Sequence, residues 1–177
     1  MNNVKVIQTS PPRTGSTLLL NLIHGFLSPN EKIHWDEHVS EIDDYFISKT
    51  HVTDIDIILN KYKQYKLYFV VSERNDSKVK GLIVDKYRKY YNVLIINYNE
   101  INVTNELSFD NVIDNIFDKF IQFFPLEIVP KKKDILIKAD MKKRIVNMNK
   151  IVEEIKNKPF SYWDRFYGIH GSHRNRK

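Results

Sequence analysis

Six residues near the amino terminus, Pro12-Arg13-Thr14-Gly15-Ser16-Thr17, bring together the groups that bind an anion. Gly15 lets the backbone come close to a ligand. A helix that begins at Ser16 points its first free N–H groups, and the positive end of its dipole, at the same spot. Ser16 and Thr17 add hydroxyl donors, and Arg13 adds a forked, permanent positive charge. The run is not a Walker A loop, because the Gly-Lys-Ser/Thr ending and the first glycine of that pattern are missing. An ordinary ATP or GTP hydrolase is therefore disfavoured. A plain helix cap after a Pro-rich turn needs no combination of Arg, Gly and two hydroxyls.

Two further stretches carry suitable chemistry. In Lys49-Thr50-His51, an imidazole that titrates near neutral pH suits proton removal, and a neighbouring lysine suits negative charge that develops on a group in transfer. Taken alone, His51 also fits a histidine before a helix starting near Asp54. Glu37 and His38 form a competing acid–base pair. At Glu73-Arg74, a surface ion pair with Glu73 or Asp76 contributes only about 0–1 kcal/mol, so stability gives little reason for the arginine. The tail Gly168-Ile169-His170-Gly171-Ser172-His173-Arg174-Asn175-Arg176 combines two glycines with several donors and suits either a second anion nest or a frayed basic end. No carboxylate stands at ligand spacing from His170 and His173, so no metal is expected there.

These stretches need elements to position them. Val4–Gln8, Tyr45–Lys49, Leu67–Ser72 and Val93–Asn97 are apolar and rich in β-branched or aromatic residues, and read as strands. Helical spacing runs through Ser16–Leu27 and Asp54–Tyr65, through a segment capped by Ser77 and ending near Tyr87, and through Phe109–Phe124 and Met141–Lys158. Ile135–Ile137 is either a short strand or the approach to the last helix. Strands alternating with helices, with the strands apolar throughout, predict an α/β fold of three layers: a mostly parallel central sheet with helices on both faces. Ligands of such sheets bind at the carboxyl ends of the strands, where the early loop, Lys49-Thr50-His51 and Glu73-Arg74 all fall.

The chain has 177 residues, 42% of them hydrophobic, which suits one compact domain spanning 1–177 with 160–177 as a basic tail. No apolar run approaches the roughly 20 residues of a membrane span, and Met1-Asn2-Asn3 lacks a basic signal start, so a cytoplasmic protein is expected. The absence of cysteine excludes disulfides and thiolate catalysis, including a phosphotyrosine-phosphatase reading of the early loop. A net charge of +6 favours anionic partners.

In order along the chain, these motifs resemble the sulfotransferase family. Pro12-Arg13-Thr14-Gly15-Ser16-Thr17-Leu18 is similar to the loop by which that family holds the 5′-phosphosulfate of 3′-phosphoadenosine-5′-phosphosulfate (PAPS). Lys49-Thr50-His51 resembles the segment that carries the catalytic base. LYFVVSER, ending at Arg74, resembles the strand whose Arg binds the 3′-phosphate, and VLIINYNE resembles the strand ending in Tyr-Glu-Asp. The resemblance implies a P-loop-NTPase-like fold and PAPS as cofactor, with adenosine 3′,5′-bisphosphate as its product and no metal. It implies that Arg13, Thr14, Gly15, Ser16, Thr17, Arg74 and, from the tail, Arg174 or Arg176 bind the cofactor. His51 becomes the base with Lys49 and Arg13 assisting, and Glu37 the alternative base. Tyr98 and Glu100 become structural. The acceptor bears a hydroxyl or amine on a carbohydrate, a small molecule or a protein tyrosine, and nucleic acid is not an expected partner. The Pro after His51 and the Pro after Arg74 that the family shows are both missing here. A nucleotide or small-molecule kinase with an atypical phosphate loop, and a non-catalytic binder of nucleotide or polyanion, are the alternatives.

Overall fold

The computed structural model describes residues 3–11, 14–30, 32–35, 39, 45–52, 54–74, 84–102, 108–155, 163–164 and 169–170. Five strands, β1 (Val4–Thr9), β2 (His34–Trp35), β3 (Ile47–Thr50), β4 (Lys66–Glu73) and β5 (Val93–Asn97), form one sheet in the order β2-β3-β1-β4-β5. Every pairing in it is parallel. Strand β1 lies in the middle, with β3 on one side and β4 on the other, so the chain order reverses at β1, and sheets of this kind bind ligands at the carboxyl edge of such a reversal. The register keeps that edge level: Thr9 faces Thr50 on one side and Val71 on the other.

Two apolar cores lie on the two faces of the sheet. On one, Val6, Ile47, Tyr68, Val70 and Ile96 pack against helix α1 (Ser16–Leu27) and then α5 (Phe109–Phe123) and α6 (Asp134–Ile155). On the other, Ile7, Leu67, Phe69 and Val71 pack against α2 (Ile55–Lys61) and against Tyr87 of the short α3 (Val84–Tyr87). Period-two alternation along buried strands supplies both faces at once. Helix α1 is buried nearly all round, so Leu20, Asn21, His24 and Gly25 join the inward residues Leu19, Leu22, Ile23 and Phe26. The cause is its place between the sheet and α6, with Gly25 permitting close approach: a Cβ built there would lie 2.6 Å from Met141 Cα.

Several boundaries differ from the expectation. Helix α6 begins at Asp134, absorbing Ile135–Ile137, because the carbonyl of Lys133 already accepts from the N–H groups of Leu136 and Ile137. Helix α2 stops at Lys61, and Tyr62–Tyr65 forms a turn closed by Tyr65 N–H to the Tyr62 carbonyl at 2.9 Å. Residues 75–83, where the Ser77-capped start was expected, lie outside the described residues. Three features were not anticipated: the two-residue β2, helix α4 (Tyr98–Ile101) directly after β5, and an antiparallel pair, β6 (Trp163–Asp164) with β7 (Ile169–His170). Among the described residues no helix is long and apolar enough to cross a membrane.

Candidate active site

The loop after β1 is fastened from beneath by a buried polar knot. Ser10 Oγ accepts from Gln8 Nε2 at 2.7 Å and from the Ser72 N–H at 2.8 Å, and donates to the Thr9 carbonyl at 2.5 Å. The Thr14 hydroxyl donates to the Pro11 carbonyl at 2.7 Å and lies 2.9 Å from Ser72 Oγ. The ends of β1 and β4 and the loop between β1 and α1 are thus joined through three small hydroxyl residues, each fully buried. The hydroxyl-to-hydroxyl and hydroxyl-to-backbone bonds hold these segments together, while Gln8 Oε1 at the edge of the knot has no partner among the described residues. The Thr14 side chain is turned into the protein, so what it presents to a ligand is backbone.

Gly15 is the N-cap of α1 and holds a left-handed conformation, φ +79°. A glycine N-cap has no side chain to satisfy the helix's first N–H groups, and the Gly15 carbonyl accepts from Leu19 N–H at 2.9 Å. A Cβ at Gly15 would come 2.8 Å from Tyr98 Cδ2 and 2.9 Å from Ile101 Cδ1. Glycine is required there by backbone angle and by space together.

Lys49, at the end of β3, is almost wholly buried with its ammonium 3.2 Å from Thr17 Oγ1 and 4.9 Å from the centre of the Trp35 ring. A lysine so placed brings a desolvated positive charge against the start of α1, where an anion would be held on two sides. His51 follows, with Nδ1 2.8 Å from the Ser10 carbonyl. A carbonyl only accepts, so Nδ1 carries the proton and the neutral ring keeps its lone pair on Nε2. The Trp35 ring meets His51 edge-on, with centroids 6.3 Å apart.

On the other side of the loop, Arg74 directly follows β4, with its guanidinium 4.8 Å from the centre of the Tyr98 ring. The same ring packs over Gly15, so Tyr98 links the loop to the arginine. Tyr98 is held by α4, whose capping box pairs Asn97 with Glu100. Burial alone would raise the Glu100 carboxyl, but the Lys119 ammonium, the Asn97 N–H and Asn115 outweigh it and hold the group below its ordinary value. Tyr87, under the sheet edge, is shifted upward by burial, opposed by the Thr9 hydroxyl. It stays a neutral phenol.

No protein-family model and no curated protein matches the sequence. Among solved structures, the chain is similar to the crystal structure of mouse sulfotransferase SULT7A1 complexed with PAP. The match has a TM-score of 0.53 at 13% identity and covers 99% of this chain and 75% of that one. The fold is a sulfotransferase fold.

In this sulfotransferase fold, Thr14, Gly15, Ser16, Thr17, Lys49, His51 and Arg74 all lie at the carboxyl edge of the sheet. Lys49 meets Thr17 directly, His51 meets the start of the loop at Ser10, and Arg74 meets it through Tyr98. Arg13, Glu37, Arg174 and Arg176 lie outside the described residues. Sequence reasoning missed Gln8, Ser10, Ser72 and Trp35. The polar residues at the tips of otherwise apolar strands were a signal for the first three. A single tryptophan in a two-residue strand gave no periodicity to read.

Proposed function

We propose that this chain is a PAPS-dependent sulfotransferase that moves a sulfonate to a hydroxyl or amine of an acceptor, working in the cytoplasm as one domain. The observation that supports it best is convergence: an uncapped helix start, a buried lysine 3.2 Å from that helix's Thr17 and an arginine stacked on Tyr98 share one sheet edge. When bound, PAPS supplies an activated sulfonate on a phosphate leaving group. The N–H groups at the start of α1, with Ser16, Thr17 and Arg13, bind its 5′ end, and Arg74 with Arg174 or Arg176 binds the 3′-phosphate. His51 Nε2 takes the proton of the acceptor hydroxyl, while its Nδ1–H stays on the Ser10 carbonyl. Lys49 and Arg13 place positive charge where oxygens gain negative charge, so the reading needs no metal ion. Exclusion of water falls partly to Trp35, which covers the lysine and the histidine on one side.

Thermal unfolding tests this reading. Adenosine 3′,5′-bisphosphate at about 100 times its dissociation constant should stabilise the wild type by about 2.7 kcal/mol. ATP with Mg²⁺ should do less, and Arg13→Ala should lose most of the shift. Equal shifts with both nucleotides, or none, would remove the cofactor assignment.

A further inference from the structure

Arg74 has an acidic neighbour. Glu73, the last residue of β4, stands directly before the arginine proposed to bind the 3′-phosphate, at a position where a free carboxylate would repel a phosphate dianion. Arg74, one residue past the strand, lies over the ring of Tyr98, and Glu73 has a different partner. Its carboxylate instead meets Arg88, just past α3, with Arg88 Nη2 donating to Glu73 Oε2 at 2.8 Å. Arg88 is also anchored by Asp85, Nε to Oδ1 3.7 Å. Helix α3 sits under the same carboxyl edge: Tyr87 packs on Phe69 with ring centroids 5.4 Å apart, and Lys86 reaches Asp54 at 3.9 Å.

We infer that Arg88 is a positioning residue for the proposed phosphate site: by binding Glu73 it holds the carboxylate toward α3 and cancels its charge beside that site. The inference rests on the sulfotransferase reading and adds a charge device to it. An exposed ion pair of this kind adds little to stability, with Arg88 at 51% and Glu73 at 23% side-chain exposure, so its consequence is expected in anion affinity rather than in folding. Uncompensated, the carboxylate beside a doubly charged phosphate should weaken binding roughly threefold to tenfold at low salt.

The test is calorimetric titration of adenosine 3′,5′-bisphosphate into wild type, Arg88→Ala, Arg88→Lys, Glu73→Gln and the Glu73→Gln/Arg88→Ala double variant, with thermal unfolding confirming that each is folded. Arg88→Ala should bind roughly threefold to tenfold more weakly, with the deficit shrinking at about 0.5 M salt. Arg88→Lys should hold near wild type, and the double variant should return to within about twofold of it, because removing the carboxylate removes the need for its partner. Equal losses in Arg88→Ala and the double variant would overturn the inference, since Arg88 would then act on the ligand or the fold directly. Wild-type affinity in Arg88→Ala would overturn it as well. If the wild type itself fails to bind, the cofactor reading falls and takes this inference with it.

Discussion

The carbonyl of Ser10 sets which nitrogen of His51 bears the proton, and Ser10 is itself tied by its hydroxyl to Gln8, Thr9 and Ser72. The orientation of the proposed base therefore comes from the polar knot under the loop. Replacing His51 by Ala should leave affinity for adenosine 3′,5′-bisphosphate within about twofold of wild type, while turnover, followed as its release from PAPS with an acceptor, falls roughly 10²–10⁴-fold. Unchanged turnover would pass the role of base to Glu37. Lys49 is the residue whose type and position were most readable in advance, since a lysine at the tip of an apolar strand has few structural reasons to be there. Its contact with Trp35 was not readable, because cation–π partners depend on which strands become neighbours, and β2 joins the sheet beside β3 only in three dimensions.

At the scale of elements, a helix of only four residues has the largest consequence for the site. Helix α4 presents Tyr98 to both Gly15 and Arg74, and Glu100 holds its amino end by accepting from the Asn97 N–H at 2.9 Å and from Lys119. Because the Glu100 carboxyl is held below its ordinary value in the folded state, its contribution to stability is fully present above the unfolded value of 4.5. It is lost as pH falls through the lower folded value. Glu100→Gln should cost about 1 kcal/mol at neutral pH, and the gap from wild type should close toward about pH 3, as urea unfolding at the two pH values would show. An equal gap at both would assign the effect to packing. Strands β1, β4 and β5 and helices α1 and α5 were legible because long apolar or amphipathic runs determine their own type. Helix α4 was not, since YNEI continues the apolar strand VLIIN with no break, and only the Asn97–Glu100 box turns it.

The described residues form a layered structure in which one parallel sheet sets the level of Thr14, Gly15, Ser16, Thr17, Lys49, His51 and Arg74. Its outer layer depends on α1 lying close to α6, and Gly25→Ala measures that dependence. The added methyl gains helix propensity but meets the backbone of Met141 at 2.6 Å, so a net loss of roughly 1–3 kcal/mol in thermal or urea unfolding is expected. A stabilised variant would show that the two helices part freely. The alternation of strands and helices made the three layers and the common edge foreseeable. The strand order was not, because nothing local in Ile47–Thr50 says that it pairs with β1 instead of β4. Nor did the sequence reveal how Arg74 reaches the loop, which required Tyr98 at the start of α4, just past β5. The central claim, that this edge reads a doubly phosphorylated adenosine, is tested most directly by comparing affinities for adenosine 3′,5′-bisphosphate and adenosine 5′-monophosphate in wild type and Arg74→Ala. The wild type should prefer the bisphosphate by at least about tenfold, from a charge-assisted contact of roughly 1.5–3 kcal/mol, and Arg74→Ala should abolish that preference. The same preference in both proteins, or none in the wild type, would contradict it.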